Sequence, residues 1–200
     1  MTTARDVHAL VLAGGAATRF GGRKLLAPWQ QGVLLDGAID AALASPALTI
    51  VLVTGANRKE VERAAKRHGG RISAIHAADH GHGLSASLRA GIKALPASAD
   101  AVFVFLGDMP RVPHSMAADL LSTIGSRPAA VPAFQGQWGH PVLLRRSLFD
   151  EVASLSGDIG ARAILKALGT NLAVVDTDDP GVLLDVDEPN DLEAMRHLDP

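Results

Sequence analysis

The chain contains no cysteine, which removes disulfides, thiolate zinc sites, iron–sulfur clusters and a cysteine nucleophile together. It also lacks an excess of charge of either sign: 19 Lys and Arg stand against 21 Asp and Glu, a formal net charge of −2. Nucleic-acid binding rests on a basic face that neutralises phosphates. The near-balance gives no such footprint, but leaves room for a local basic spot suited to one small polyphosphate. Long apolar runs are missing too. The first run, VHALVLA, stops at Gly14, too short for a signal peptide's apolar region plus cleavage site, and nothing approaches a membrane span. The expectation is a soluble, cytoplasmic protein with neither membrane nor nucleic acid as partner. Repeats, low-complexity tracts and linkers are likewise absent. The 200 residues, 48% hydrophobic and 20% charged, suit a single compact domain over residues 1–200.

Short apolar runs without strict alternation predict strands covered on both faces at His8–Ala13, Thr49–Thr54, Arg71–His76 and Ala101–Leu106. Helical stripes lie between and after them. One is Leu34, Leu35, Ala38, Ile39, Ala42 and Leu43; the next is Val61, Ala64 and Ala65, opened by a capping box from Asn57 to Glu60. Leu84, Leu88, Gly91, Ile92 and Leu95 make a third, and Met116, Leu120, Leu121 and Ile124 a fourth. Alternation of this kind predicts βαβ units and a parallel sheet. The second half is less regular. Strands are expected at Ala129–Phe134 and His140–Leu144 around a turn at Gln135–Gly139, and at Asn171–Asp176 and Val182–Leu184. Helices are expected at Asp158–Leu168 and from Pro189. The hairpin-like insertion makes the fold α/β with a mostly parallel, mixed sheet containing one antiparallel strand.

The strongest local feature is LAGGAATRFGGRK, Leu12 to Lys24. It follows the first strand, at the carboxyl end where open α/β sheets place ligands. Gly14 and Gly15 let backbone N–H groups approach an anion, and Arg19 and Lys24 add two cations. The spacing is neither the dinucleotide fingerprint nor a P-loop. Asp108, in FLGDMP past the most apolar strand, reads either as a Mg²⁺ ligand or as a turn or helix-capping residue before Pro110. Asp185 and Asp187, two apart in LLDVDEPNDL, share a face of an extended segment. Asp185 is read as completing a metal site with Asp108, and Asp187 or Glu188 as capping the last helix.

Gly83, Ser85 and Ser87, in GHGLSASL, open a helix whose free N–H groups and hydroxyls suit a base edge or phosphate, or simply cap it. His140, in WGHPVL, would meet an acceptor or serve the core. His76, His80 and His82 cluster with Asp79, but their spacing fits no regular zinc pattern. Ser85 and Ser87 lack the elbow of a hydrolase nucleophile.

These pieces, in this order, resemble the nucleotidyltransferases that finish the molybdenum cofactor. The resemblance runs from about Leu10 to Leu192. Leu12 to Lys24 is similar to the family's LAxGxxxRxGxxK signature, and Gly107-Asp108-Met109-Pro110 to its metal-binding turn. Gly139-His140-Pro141-Val142, the run from Gly157 to Arg162, and Asp185-Val186-Asp187 look like the cytidylyl branch. Leu12-Ala13-Gly14-Gly15 is closer to the guanylyl branch, so the donor is CTP or GTP.

The resemblance implies a three-layer Rossmann-like nucleotidyltransferase domain. Its reaction would move CMP or GMP to the terminal phosphate of molybdopterin and release pyrophosphate. Catalytic residues would be Arg19, Lys24 and Asp108. The nucleotide would meet Leu12, Ala13, Gly14, Gly15, Arg19, Lys24, Thr54, Gly83, Ser85 and Ser87. His140 and Asp158 would meet the acceptor, and Asp108 and Asp185 would hold Mg²⁺. A molybdoenzyme or its maturation chaperone is the implied partner. Two other readings share these residues: transfer to a sugar or polyol phosphate, and a carrier without catalysis.

Overall fold

The computed structural model describes residues 6–15, 17, 20–157 and 160–197. Its strands and helices run, in chain order, β1 (Val7–Ala13), β2 (Pro28–Trp29), β3 (Gly32–Val33), α1 (Leu34–Ala44), β4 (Ile50–Thr54), α2 (Arg58–Ala65), β5 (Ile72–His76), α3 (Leu84–Ala94) and β6 (Ala101–Leu106). There follow α4 (Met116–Thr123), β7 (Ala129–Phe134), β8 (Gln137–Trp138), β9 (Val142–Arg145), α5 (Phe149–Ala153), α6 (Arg162–Leu168), β10 (Leu172–Asp176) and α7 (Pro189–Arg196).

The main sheet has the order β10-β7-β9-β6-β1-β4-β5, with β8 paired to β7. β1 lies at its centre, parallel to both β4 and β6, and every residue of it is buried. β9 runs antiparallel to both of its neighbours, as the insertion in the sequence suggests.

The period-two geometry of β1 explains the layering. Val7, Ala9, Val11 and Ala13 join one core with the stripes of α1, α2 and α4. Leu10 and Leu12 join a second with Leu88 of α3, Val152 of α5 and Ile164 of α6. The sheet is thus covered on both faces, which is why its central strands read as unbroken apolar runs. A third, smaller cluster packs Trp29 and Leu34 against Val186, Leu192 and Met195, fixing α7 over the β2–β3 hairpin. Among the described residues, no helix is long and apolar enough to cross a membrane.

Several local expectations are corrected. Val182–Leu184 forms no strand: Pro180–Val182 is a 3-10 turn, held by the Asp179 carboxylate accepting from Gly181 N at 2.7 Å. Pro180 has no N–H to offer a ladder. The Asn57–Glu60 capping box does not form, because Asn57 is left-handed at φ 57° and its side chain makes no cap bond. The second-half helix starts at Arg162, and the expected start at Asp158 lies outside the described residues. The β2–β3 hairpin, β8 and α5 are too short to leave a periodic signal.

Candidate active site

Parallel registry brings the functional loops to one end of the sheet. Leu12 lies beside Leu106, and Ala13 beside Thr54, which lies beside His76. The chain therefore leaves β1, β4, β5 and β6 over the same edge. Gly107 N donates to Leu12 O at 2.9 Å, joining the loop after β6 to the start of the glycine loop. Met109, the next residue but one, is buried in the core, so Asp108 between them has little freedom. Val186 N donates to Asp108 O at 3.0 Å, and Val186 itself is buried beside Trp29. That bond docks the Asp185-Val186-Asp187 segment onto the Asp108 turn.

Lys24 begins a 3-10 turn whose next residue, Leu25, is anchored in the core. Its side chain is only 10% exposed, and its ammonium donates to Asp108 Oδ2 at 2.7 Å and Asp187 Oδ1 at 3.2 Å. Burial pulls the Lys24 pKa down, but the charges and hydrogen bonds of Asp108 and Asp187 outweigh it and hold it above the ordinary value. The Asp185 carboxyl is also held above its usual range. Desolvation comes first and the Asp108 charge second; Asp187 adds to them and Lys24 opposes. Asp108, Asp185, Asp187 and Lys24 thus form one electrostatically coupled corner.

Of the two residues read as capping α7, Glu188 holds that position and Asp187 does not. The Asp191 carboxylate accepts from the backbone N of Asp187 and of Glu188, at 2.9 and 2.7 Å, and these two bonds lower the Asp191 pKa. The segment is tied down from behind, and the Asp187 side chain turns to Lys24. The two-residue spacing from Asp185 was the available signal.

Beside the corner lies a cleft of about 580 Å³, lined by Leu12, Gly14, Gly15, His80, Gly83 and Ser87, with Asp108 as its end wall. A small-molecule site of ordinary size needs about 300–1,000 Å³. Lys24, Asp108 and Ala13 also border a smaller space of about 80 Å³. Gly83 starts α3 at φ 96°, a conformation that side chains rarely tolerate. At Gly14 a Cβ would overlap Ser87 Oγ, so the loop and α3 pack with no room for a side chain. His80 packs against the same loop, with its Cβ 3.6 Å from the place of a Gly14 Cβ. Its ring centroid is 5.9 Å from that of His76.

Other candidates point elsewhere. Thr54 is fully buried and its hydroxyl donates to Ile75 O at 2.9 Å. Ser85 is fully buried as well; its N donates to Gly157 O and its hydroxyl accepts from Arg89 Nη1 at 3.2 Å. Neither borders the cleft, because Ser85 lies on the side of α3 turned toward the segment after α5. Ser87, two residues on, does border it. His140 is half-buried, with Nδ1 3.3 Å from Val104 O. A carbonyl only accepts, so Nδ1 carries the proton and Nε2 is left as an acceptor. Desolvation lowers the His140 pKa; the Val104 bond and Asp108 oppose that, and Arg162 adds to it. Arg19 and Asp158 lie outside the described residues.

Among the described residues no group of three or more His, Cys, Asp or Glu side chains is arranged to hold a metal ion unaided. The arrangement is instead a shaped cleft ending in a carboxylate corner with one buried cation.

Known proteins share this arrangement of chain. Over 191 residues the sequence is 29% identical to the molybdenum cofactor cytidylyltransferase of Escherichia coli (strain K12), with 95% of each chain covered. It is 30% identical over 203 residues to the nicotine blue oxidoreductase of Paenarthrobacter nicotinovorans, with 96% of each covered. Among solved structures, the homologue of Mycobacterium tuberculosis Rv0371c from Mycobacterium sp. strain JC1 has a TM-score of 0.83 at 28% identity, covering 94% of each chain. Residues 9–172 match the MobA-like NTP transferase domain, and the chain therefore belongs to that family of nucleotidyltransferases.

Proposed function

We propose that this protein transfers a nucleoside monophosphate from CTP or GTP to the terminal phosphate of a molybdopterin-type acceptor, releasing pyrophosphate in a Mg²⁺-dependent reaction. The observation that carries the reading is the corner: Asp108 bonded through its backbone to the Asp185–Asp187 segment and through its side chain to Lys24, at the end of a glycine-walled cleft. Similarity to the cytidylyltransferase supports the acceptor. A relative named as an oxidoreductase is matched over as much of the chain, but the family itself is one of nucleotidyltransferases. The charge arrangement favours transfer.

The donor's triphosphate would enter along Gly14 and Gly15, whose backbone tolerates the close approach of an anion. The base would lie toward Ser87 and Gly83. An oxygen of the acceptor phosphate attacks the α-phosphorus in line; the new P–O bond forms as the bond to the β-phosphate oxygen breaks. A phosphate monoester is already anionic, so positioning and charge stabilisation dominate over general base catalysis. Lys24, with its raised pKa, stays protonated and would meet charge growing on the leaving pyrophosphate. His140, neutral with Nε2 accepting, would orient a donor group of the acceptor.

Mg²⁺ takes one or two carboxylates and fills its other positions with phosphate oxygens and water. The all-oxygen pair Asp108 and Asp185 fits that demand; after desolvation, the Asp108 charge is the next cause of the raised Asp185 pKa, and a divalent ion would relieve that part. When bound there, the ion would neutralise charge on the α-phosphate. Arg19 and Asp158 keep their proposed roles, as leaving-group cation and acceptor contact.

The test is to incubate purified protein with molybdopterin, Mg²⁺ and an equal mixture of CTP and GTP, then identify products by mass spectrometry. A pterin dinucleotide with stoichiometric pyrophosphate is expected. Nucleotide binding without turnover on molybdopterin would overturn the reading, and turnover only with sugar or polyol phosphates would replace the acceptor.

A further inference from the structure

The Lys24 ammonium already holds one of the two oxygens of Asp108, a carboxylate that the proposed metal would also use. It bonds Asp108 Oδ2 at 2.7 Å and Asp187 Oδ1 at 3.2 Å, with the side chain nine-tenths buried. Mg²⁺ would sit about 2.0–2.1 Å from its oxygens. A divalent ion on Asp108 Oδ2 and the ammonium in its present place would therefore be two cations in close contact, in a partly dry corner where repulsion is poorly screened.

Lys24 also has somewhere to go. It borders the small space shared with Gly15 and Asp108, next to the glycine-walled cleft, and its four-carbon stem is flexible. Charge accounting favours the exchange. The Lys24 ammonium now bridges the carboxylates of Asp108 and Asp187, in a corner that Asp185 also borders. A triphosphate beside the glycine loop would offer Lys24 a more negative partner, leaving the carboxylates in need of a cation.

We infer that Lys24 is a tethered counter-ion that keeps the metal's place, so that the divalent ion enters only as the triphosphate draws Lys24 off the carboxylates. Nucleotide and metal then bind in mutual dependence, and the corner holds little metal by itself. This rests on the metal reading of the corner given above, and the experiment separates the two.

Mn²⁺ alone is the probe, titrated into the full chain and followed by the electron paramagnetic resonance of the free ion. Wild type should bind it weakly. Lys24→Met should bind it at least tenfold more tightly without nucleotide, while losing turnover. A nonhydrolysable CTP or GTP analogue should raise Mn²⁺ affinity in wild type and add much less in the variant. Loss of Lys24 takes an ammonium away from Asp108 and Asp187, so Lys24→Gln serves as a second variant and melting temperature as a second readout. Mn²⁺ should raise the melting temperature of either variant and scarcely move wild type; an equal response overturns the inference. Adding Asp108→Asn to Lys24→Met should abolish the gain, and a gain that survives overturns the inference by placing the ion elsewhere. If wild type binds Mn²⁺ with the analogue but Lys24→Met gains nothing alone, the place-keeping role falls and the metal site stands. If no Mn²⁺ binds under any condition, both fall.

Discussion

Two charged clusters in this protein use nearly the same residue types to opposite ends. On the outside of the helical layer, Asp36 of α1 accepts from Val33 N at 2.8 Å, from Arg67 at 3.0 Å and from His68 Nε2 at 2.8 Å. His68 reaches Asp40 with its other ring nitrogen at 3.1 Å. Each anion there has a cation or N–H group matched to it, and the cluster ties α1 to the end of α2. At the sheet edge, one ammonium serves Asp108 and Asp187 while Asp185 is pushed toward its neutral form. The outer cluster holds two elements together, whereas the proposed reading gives the corner over the carboxyl ends of the strands to a ligand. What separates the two is the accounting of partners and the place in the sheet, neither of which residue type reveals.

The sharpest way to break this contrast is to delete one carboxylate from each cluster. Asp108→Ala should remain folded and lose about 10²–10³-fold or more in Mg²⁺-dependent pyrophosphate release; undiminished release would refute its role. Asp36→Ala should do the reverse, costing about 1–3 kcal/mol of stability in denaturant titration with turnover within a few-fold of wild type.

Next in size is the fit of loop to helix. Gly14→Ala drives a methyl into Ser87 Oγ and should cost about 1–3 kcal/mol along with nucleotide affinity. Adding Ser87→Ala should restore part of the stability, and strict additivity of the two changes would show that they do not touch.

His140 gives a smaller and pH-dependent effect. Its pKa lies below the usual 6.5 in the folded chain, chiefly through desolvation. Folding then favours the neutral ring, so its contribution is full above pH 6.5 and declines as pH falls toward the folded pKa. Melting temperature should drop over that window, and less so in His140→Gln. Asp108 supports the protonated ring, so Asp108→Ala should lower the His140 pKa further, as read by NMR titration. The smallest change is Asp191→Ala, which frees the N–H groups of Asp187 and Glu188 for about 1 kcal/mol or less. It should weaken Mn²⁺ binding in the presence of nucleotide more than it lowers the melting temperature.

The parallel half of the sheet was legible because its strands are buried on both faces and its helices are long enough to show a stripe: Ala101–Leu106 is found as read, and α1, α3 and α4 agree to within a residue or two. β2, β3 and β8 have two residues each and α5 has five, below the length at which periodicity speaks. In the site, Lys24, Asp108 and Asp185 converge, but Lys24 faces carboxylates rather than the open cleft. Asp187 and Glu188 fit a capping role equally well in the sequence, and only the Glu188–Asp191 arrangement shows which of them takes it. Ser85 and Ser87 were given one role, although adjacent odd positions on a helix point some 200° apart. The bond of the Thr54 hydroxyl to the neighbouring strand leaves no mark in the sequence.

The bond from Gly107 N to Leu12 O has a mechanical corollary. The floor beneath the reacting groups is a single rigid plate, since the strand ends that carry both loops are stitched to each other as well as to the sheet. A shift in the turn that carries Asp108 is thus felt at Leu12, where the glycine loop begins.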